Sequence, residues 1–361
     1  MLYFSSNQSL VLEQMILDHL ERFDIQKENQ SALPPRIFEA IKAKISPRPV
    51  VSKLWPRIAA VAAVALVVFG GGLVYVNQKQ ETPHKVTTHK QEIKPAGNNA
   101  FLTLSNGKRI TLSNTTNGKI AVQSNVQITK TEDGQLVYEI VERNSASKSP
   151  LVYNTIETPN GGRYEIFLPD GTHVWMNAAS TLKYPASFAS LRERKVSLRG
   201  EAYFEVKKDK QHPFIVTTAQ QEVKVLGTHF NINAYPEDVK SQTTLLEGSV
   251  KVSGENTEIL LKPGQMAVNN GQRLLVKQAD LENVMAWKNG LFVFDRQQLT
   301  EVLKDVSRWY NVEFDYSEEI GRRKLWGTVS KQNSLTDLLD NIVITSGIHY
   351  KIEGRRIKLM K

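Results

Sequence analysis

Two copies of the tripeptide Gly-Thr-His are the first residues of this sequence whose types could do chemistry. One lies at 171–173 and the other at 227–229. A hydroxyl and an imidazole beside a flexible glycine are the groups of a reactive site. The same residues are equally suited to a tight turn between two strands. The surrounding sequence has to decide between these two interpretations.

Other signatures of enzyme chemistry are missing. The chain contains no G-x-S-x-G, G-x-x-x-x-G-K, H-E-x-x-H or G-x-G-x-x-G motif. The absence of cysteine excludes disulfides, thiol nucleophiles and cysteine-ligated metals. We therefore expect a protein that is not an enzyme and uses no cofactor.

The formal net charge is +9, and its Lys and Arg residues are spread along the chain. No long basic arm and no base-stacking aromatic motif accompanies them. We expect a solvated basic surface and no direct contact with nucleic acid. His84 and His89 lie in a polar stretch with prolines. Two histidines in a flexible segment are weak grounds for a metal site, so none is predicted.

Residues 58–76 read IAAVAAVALVVFGGGLVYV, without a charge. A helix of this length just crosses a hydrocarbon core of about 30 Å. Trp55 and Tyr75 flank it, where amphipathic rings favour the interface. Five basic residues and no acid lie in 42–57, which favours a cytoplasmic N-terminus. A cleaved signal peptide fits less well, because a long polar segment precedes the apolar run.

The segment at 1–57 contains two amphipathic helical patterns, the second of which follows Pro34-Pro35. Two short helices bury little surface against each other. They form either a loose pair on the membrane or a surface for a partner helix, and composition leaves both open. The apolar positions that define the two patterns include Leu12, Ile16, Leu20, Ile37 and Ile41.

Residues 101–276 have the pattern of an all-β domain. LTLSNGKRITL predicts a hairpin that turns at Asn106-Gly107. LPDGTHVWMN repeats the pattern 64 residues later, so Asp170-Gly171 is a turn and Thr172 begins the return strand. The first Gly-Thr-His thus has a structural explanation. Further strands are predicted at 204–206, 214–217, 223–226, 230–234, 243–252 and 259–261.

After residue 279 the periodicity changes, and a strand–helix–strand unit occurs twice with an offset of 36 residues. A strand at 291–294 precedes a helix at 299–310 and a strand at 312–316. Val293 matches Val329, and Leu299 matches Leu335. Because helix and strand positions keep register across the repeat, we predict a small α+β domain of two β-α-β units over 284–361.

Five segments form an ordered set of motifs: TPNGGRYEIFLPDGTHVWMNAASTLKYP (158–185), VSLRGEAYFEV (196–206), HPFIVTT (212–218), VLGTHFNINAY (225–235) and TTLLEGSVKV (243–252). Together they resemble the FecR family, whose members are single-span anti-sigma regulators of the bacterial inner membrane. The resemblance covers 158–252 densely and in order, and its motifs are highly specific. The repeat at 284–361 resembles the C-terminal domain of members from Bacteroidetes-type bacteria.

The resemblance and the patterns together imply a multidomain chain. Its parts would be a short helical cytoplasmic anti-sigma tail (1–57), one transmembrane helix (58–76), a linker (77–100), an all-β, FecR-type periplasmic domain (101–276, with a FecR-like core at 158–252) and a small α+β, signalling-like C-terminal domain (284–361).

The resemblance also implies partners. The tail would bind an extracytoplasmic-function sigma factor, and the periplasmic part would contact the signalling domain of a TonB-dependent outer-membrane receptor. The apolar tail positions named above are then the candidates for sigma-factor contact, on periodicity alone. The alternative is a membrane-anchored periplasmic module that binds a glycan or a protein. Its candidate stacking surfaces are Trp175, Trp287, Trp309 and Trp326.

For the second Gly-Thr-His, the resemblance implies a further possibility. Some family members are reported to cleave themselves at a Gly-Thr bond in the motif that matches 225–232. The Thr228 hydroxyl would attack the Gly227 carbonyl, and water would open the resulting ester. This reaction needs a strained peptide and a nearby proton acceptor. Gly227 is equally suited to a bulge between strands, and the sequence leaves both interpretations open.

Overall fold

The structure of the protein, a computed structural model, describes residues 93–113, 116–123, 126–132, 134–140 and 151–361. The predicted tail at 1–57, membrane helix at 58–76 and most of the linker lie outside these residues. Among the helices of the described part, none has both the length and the apolar composition of a membrane span. The candidate sigma-factor contacts that lie outside it are Leu12, Ile16, Leu20, Ile37 and Ile41.

Strands dominate the first part of the described chain, which we call the β domain. Its strands are β1 (Gly97–Asn98), β2 (Phe101–Thr103), β3 (Arg109–Thr111), β4 (Gly118–Gln123), β5 (Val126–Lys130), β6 (Leu136–Ile140), β7 (Tyr153–Glu157), β8 (Gly162–Phe167), β9 (His173–Met176), β10 (Thr181–Pro185), β11 (Arg194–Glu205), β12 (Phe214–Thr217), β13 (Glu222–Val225), β14 (His229–Ala234), β15 (Ser241–Glu247), β16 (Val250–Ser253), β17 (Glu258–Leu261), β18 (Gln265–Asn269) and β19 (Leu274–Gln278).

A short helix leads into the second part, residues 291–361, which we call the C-terminal domain. The elements in chain order are α1 (Leu281–Met285), β20 (Leu291–Gln298), α2 (Leu299–Tyr310), β21 (Glu313–Asp315), α3 (Glu318–Gly321), β22 (Lys324–Ser330), α4 (Leu335–Ser346), β23 (His349–Glu353) and β24 (Arg356–Met360).

The β domain is built from two sheets around one apolar core. The first sheet has the order β3-β2-β7-β10-β11-β12-β13-β16-β17. The second has the order β4-β5-β6-β8-β9-β11-β14-β15-β18-β19. Buried and less buried residues alternate along β5, β9 and β13, so one face of each strand supplies the core. Residues of both sheets contribute to a single buried cluster.

Strand β11 belongs to both sheets. Its first half pairs with β10 and β12, and its second half pairs with β9 and β14. Gly200 lies where the partners change, with φ at +96°. A Cβ at this position would overlap the side chain of Ser180, so the bend needs glycine. Before Gly200 alternate residues are exposed, whereas Glu201 and the three residues after it are all buried.

The predicted hairpins are confirmed, and both turns have the same backbone hydrogen bonds. The amide of Leu104 donates to the carbonyl of Lys108, and Gly107 donates to Leu104. Residues 168–172 repeat this arrangement, with Gly171 donating to Leu168. Gly107 and Gly171 have φ values of +81° and +86°, which glycine adopts without strain. The similarity of the two sequences thus reflects one turn geometry used twice.

The single strand predicted at 243–252 is wrong. The chain turns at Gly248, where φ is +94°, and forms two strands in different sheets. β15 pairs within the second sheet and β16 within the first. Leu245 before the turn and Val250 and Val252 after it all belong to the one core, which the two strands face from opposite sides. Apolar residues therefore recur on both sides of Gly248, and this recurrence does not show that the two strands belong to different sheets.

The C-terminal domain has the repeat expected from its sequence. Helices α2 and α4 each have twelve residues, and both boundaries of α4 lie 36 residues after those of α2. Each helix is followed by a residue in the left-handed region, Asn311 and Gly347. The strands that precede the helices, β20 and β22, pair with each other. A second sheet has the order β21-β24-β23, and β24 is a strand that the repeat did not predict.

A buried ion pair joins the Asp170 turn to the start of β11. Arg194 Nη1 lies 2.7 Å from Asp170 Oδ2, and the two side chains are 4% and 8% exposed. Arg194 also donates to the carbonyls of His212 and Lys207. The hydroxyl and amide of Thr172 donate to the same aspartate. The turn is therefore stabilised by the Arg194–Asp170 ion pair as well as by the backbone conformation of Gly171.

Replacing Asp170 with Asn should separate these two effects, because the amide keeps an acceptor for the turn but removes the charge. An uncompensated buried guanidinium should destabilise the fold by about 3–5 kcal/mol. The matched control is Glu222→Gln at the exposed Lys195–Glu222 pair, where about 0–1 kcal/mol is expected. Urea unfolding followed by near-ultraviolet circular dichroism measures both. Equal shifts for the two variants would contradict the assignment.

Candidate functional site

The second Gly-Thr-His lies where the chain passes from one sheet to the other. β13 ends in the first sheet at Val225, and β14 begins in the second at His229. Gly227 has φ at +147°, a conformation largely restricted to glycine. A Cβ there would lie 2.7 Å from Cα of Lys208. Both backbone conformation and close packing thus require glycine in this crossing.

Thr228 ties this crossing to a neighbouring one. The threonine is 3% exposed, and its hydroxyl donates a 3.0 Å hydrogen bond to the carbonyl of Ser249. Ser249 lies in the crossing from β15 to β16. A Cβ on Gly248 would approach Thr228 Oγ1 to 3.0 Å, closer than most Cβ contacts. The two crossings pack against each other, and the hydroxyl holds them together.

The surroundings of Thr228 bear on the predicted self-cleavage without testing it. Among the described residues, no titratable side chain is hydrogen-bonded to its hydroxyl. A backbone carbonyl is a poor proton acceptor for such a reaction. The adjacent His229 directs Nδ1 toward Glu247, with 3.2 Å between Nδ1 and Oε2. The geometry gives Thr228 an architectural role, and cleavage at Gly227-Thr228 stays a prediction.

The structure brings the two Gly-Thr-His segments to opposite sides of β11. His173 and His229 both pair with Glu205, one from β9 and one from β14. The backbone carbonyl of Thr228 accepts a hydrogen bond from the amide of Val206, and the hydroxyl of Thr172 accepts one from the amide of Lys207. The two segments therefore hold the end of β11 from both sides. Within the residues described, no group of three or more His, Asp or Glu side chains could hold a metal ion.

Arg308, in the last turn of α2, is the main polar contact between the C-terminal domain and the β domain. Its Nη1 lies 2.7 Å from Oε1 of Glu237, and its guanidinium stacks 3.7 Å from the ring centroid of Tyr235. One helical turn earlier, Lys304 Nζ lies 2.6 Å from Oδ1 of Asp238. We call these five residues the latch.

A loop with two glycines lies beside the latch and contacts two other segments. The amide of Gly161 donates to the carbonyl of Arg308, at 2.7 Å, and its carbonyl accepts from Gly97, at 3.1 Å. Gly97 and Asn98 form β1, which pairs in parallel with the start of β8 at Gly162. The sequence motif TPNGGR thus has its glycines where three segments of backbone meet.

The residues before β1 are packed, although the sequence assigned them to a linker. Ile93 and Ala96 lie against the apolar core of the C-terminal domain. Ala100, only a few residues later, belongs to the core of the β domain. We call residues 93–98 the entry segment, because the chain passes through it from the predicted membrane helix into the β domain. It contacts both domains within six residues.

Polar side chains are buried under the C-terminal domain on the outer face of the second sheet. The carboxylate of Glu201 accepts from the amides of Asn177 and Asn231, at 2.8 and 3.1 Å. Trp287 donates to the same Asn231. Burial raises the pKa of Glu201, and the two amide hydrogen bonds oppose this shift. This network requires a cover that keeps its partners in place.

A cavity of about 440 Å³ lies between this network and the C-terminal domain. Lys331 lines it, and its ammonium lies 4.3 and 4.7 Å from the ring centroids of Trp309 and Phe292. Burial lowers the pKa of Lys331 to about 8, opposed by the carboxylates of Asp305 and Glu201. Acidic, basic and amide groups line the cavity together. The lining therefore selects no single charge of ligand.

The tryptophans weighed as stacking surfaces have different surroundings. Trp309 is 4% exposed and belongs to the core of the C-terminal domain. Trp175 contacts the ring of His173 and also the ammonium of Lys288, which is 4.1 Å from its ring centroid. Trp326 is 61% exposed. Of the four, it is the one that presents most of its ring to solvent.

Sequence reasoning missed the latch and the entry segment. Arg308 lies on the side of its helix opposite the apolar stripe, and a charged residue there ordinarily faces solvent. Glu237 and Asp238 follow Pro236 in a polar loop. The paired glycines at 161 and 162 were the one available signal, because a glycine doublet after a strand can mark a close backbone approach.

Comparison with known proteins gives matches for both domains. The family model of the FecR protein matches residues 154–251, and that of the FecR C-terminal domain matches residues 291–359. No curated protein matches the chain.

Two crystal structures, each of a candidate anti-sigma factor from Parabacteroides distasonis ATCC 8503, are similar to the chain. They are 35% and 34% identical in sequence, both with a TM-score of 0.54. The similarity covers 98% and 99% of those chains, and 57% and 58% of this one. With this identity over almost the whole length of both relatives, and with both family models matched in order, this chain belongs to the FecR family.

Proposed function

We propose that this protein is a single-span anti-sigma factor of the bacterial inner membrane. It relays a signal from a TonB-dependent outer-membrane receptor, through the periplasm, to an extracytoplasmic-function sigma factor. The observation that carries the proposal is the similarity to a candidate anti-sigma factor over 98% of that chain. The match to both FecR domains supports the same function.

The proposed topology rests on the apolar run at 58–76. Because basic residues without an acid precede it, the tail at 1–57 lies in the cytoplasm. The β domain and the C-terminal domain lie in the periplasm. On this assignment the sigma factor and the receptor bind on opposite sides of the membrane. The protein acts by binding its partners and catalyses no reaction on a separate substrate.

The tail is the proposed binding site for the sigma factor. Its two amphipathic patterns have apolar faces that are too short to cover each other. Docking on a sigma factor would complete both faces, as an amphipathic helix does in an apolar groove. The C-terminal domain, whose sequence resembles signalling domains, is the proposed contact for the receptor side.

Charge placed on the apolar faces of the tail should abolish capture of the sigma factor. We expect the tagged full-length protein to co-purify with an extracytoplasmic-function sigma factor from its own cells. Ile16→Asp and Ile41→Asp, one on each predicted helix, should each reduce capture at least about tenfold, because a buried carboxylate costs several kcal/mol. Asn29→Asp adds the same charge off these faces and serves as the matched control. Quantitative mass spectrometry of the eluate measures the result.

Loss of capture in all three variants would assign the effect to charge alone and contradict the predicted faces. No capture by the wild-type protein, with an intact tail, would contradict the anti-sigma function. The periplasmic domains alone would then have to explain the protein, as a membrane-anchored module that binds a glycan or a protein.

For Gly227-Thr228 we propose that the main role is to hold the two crossings together, rather than to undergo self-cleavage. Thr228→Val removes the hydrogen bond from the Thr228 hydroxyl to the backbone carbonyl of Ser249. We expect a loss of about 0.5–1.5 kcal/mol in unfolding free energy, which Thr228→Ser should largely avoid. Intact mass spectrometry should find one chain of 40.7 kDa in all three proteins. A fragment that begins at residue 228 in the wild type and the serine variant, but not in Thr228→Val, would establish self-cleavage instead.

A further inference from the structure

The entry segment has few contacts of its own with the β domain. Its strand pairing consists of Gly97 and Asn98 against Gly162 and Arg163. The side chain of Asn98 is exposed, and Gly97 has none. Ordering this stretch of backbone opposes its binding, and two residues of parallel pairing offset only part of that loss. The pairing with the β domain by itself therefore binds the entry segment only weakly.

The apolar anchors of the entry segment lie on the other domain. Ile93 and Ala96 are partly buried against the apolar core of the C-terminal domain. Gly161 adds a backbone connection, because it binds both Gly97 and the carbonyl of Arg308. The segment thus lies between the Gly161-Gly162 loop of the β domain and the core of the C-terminal domain, and we call this place the seam. The seam exists only while the two domains are in contact.

The seam leaves no room for adjustment. A Cβ on Gly162 would lie 2.6 Å from the carbonyl oxygen of Asn99 and 2.8 Å from Cδ of Pro159. The backbone after the entry segment therefore lies directly on this glycine. Displacement of the C-terminal domain would remove one wall of the seam and expose the apolar anchors to water, which is unfavourable.

The latch determines whether the seam is closed. Arg308 has a side chain that is 10% exposed and pairs with Glu237 across the domain boundary. It also stacks on Tyr235, and Lys304 pairs with Asp238. The same residue whose side chain forms the latch has the backbone carbonyl that binds Gly161. A change at the latch is therefore transmitted to the seam through a single residue.

We propose that the entry segment is a strap, held in place only while the C-terminal domain is docked through the latch. When a partner displaces the C-terminal domain, residues 93–98 leave the seam and the chain between the β domain and the membrane lengthens. As a means of regulation this rests on the proposed function, because it supplies the step that carries a periplasmic event toward the tail. The release itself is a property of the described residues.

Hydrogen exchange on the full-length protein in detergent, read by mass spectrometry, tests the strap. Arg308→Ala removes the latch side chain. We expect exchange in peptides that cover 93–99 to become about tenfold faster or more, as for a segment that opens locally. Exchange in peptides from β12 and α4 should stay at the wild-type rate. Arg322→Ala removes an exposed ion pair with Glu318 in the same domain, and this matched control should leave all rates unchanged.

A second variant acts from the other side of the boundary. Glu237→Lys combined with Asp238→Lys reverses the charge of a surface loop, so it should fold even if Arg308→Ala does not. It should accelerate exchange in the strap to a similar extent.

Gly162→Ala serves as a reference, because a methyl group at this position displaces the strap directly. The exchange rate of residues 93–99 in this variant is the rate expected for a released strap. Because the chain has no cysteine, Ala96→Cys adds an independent readout, and its maleimide labelling should accelerate with the latch variants.

Three results would overturn the proposal. Faster exchange at 235–240 and 299–310 without faster exchange at 93–99 would mean that the strap is held independently of docking. Unchanged exchange everywhere would mean that the latch does not hold the domain. Equal acceleration in the Arg322→Ala control would mean that the effect is general loosening. None of these readouts involves the sigma factor, so failure of the strap and failure of the proposed function are distinguishable.

Discussion

Strand β11 runs through both sheets of the β domain, and the other strands are arranged around it. Because Gly200 turns the strand, its first half can face solvent on one side, while its second half is covered on both sides. Glu201 follows the turn directly, so a carboxylate becomes buried on the outer face. Burial of this kind is unfavourable without hydrogen bonds, and the amides of Asn177, which follows β9, and of Asn231 in β14 supply them. The outer face therefore needs a cover.

The C-terminal domain supplies that cover, and its attachment creates the seam that holds residues 93–98. An ordinary linker makes no specific contacts with the domains that it precedes. Here the chain contacts both domains where it enters them, through Ile93 and Ala96 on the C-terminal domain and through the pairing of β1 on the β domain. For a protein proposed to carry a signal across a membrane, this is a physical connection between the domain that would meet a partner and the segment that leads to the tail.

Local sequence predicted those parts of the site whose geometry is local. Asp170-Gly171 forms a turn within five residues, and its hydrogen bonds repeat those at Asn106-Gly107. Gly227 could not be assigned in the same way, because the atom that excludes a side chain there belongs to Lys208. The hydroxyl of Thr228 likewise finds its partner in a second crossing, at Ser249. Such contacts depend on the packing of strands that are distant in sequence.

The sequence by itself determined the types of element, the all-β pattern, the C-terminal repeat with helix α2 at Leu299–Tyr310, and the family. These follow from periodicity and motifs, which are properties of neighbouring residues. Only the tertiary structure decided that the strand predicted at 243–252 divides at Gly248 between two sheets, and that Arg308 is a contact between domains rather than a solvated charge. Alternation shows which residues face a core but does not show which sheet or which domain provides it, because that depends on long-range packing.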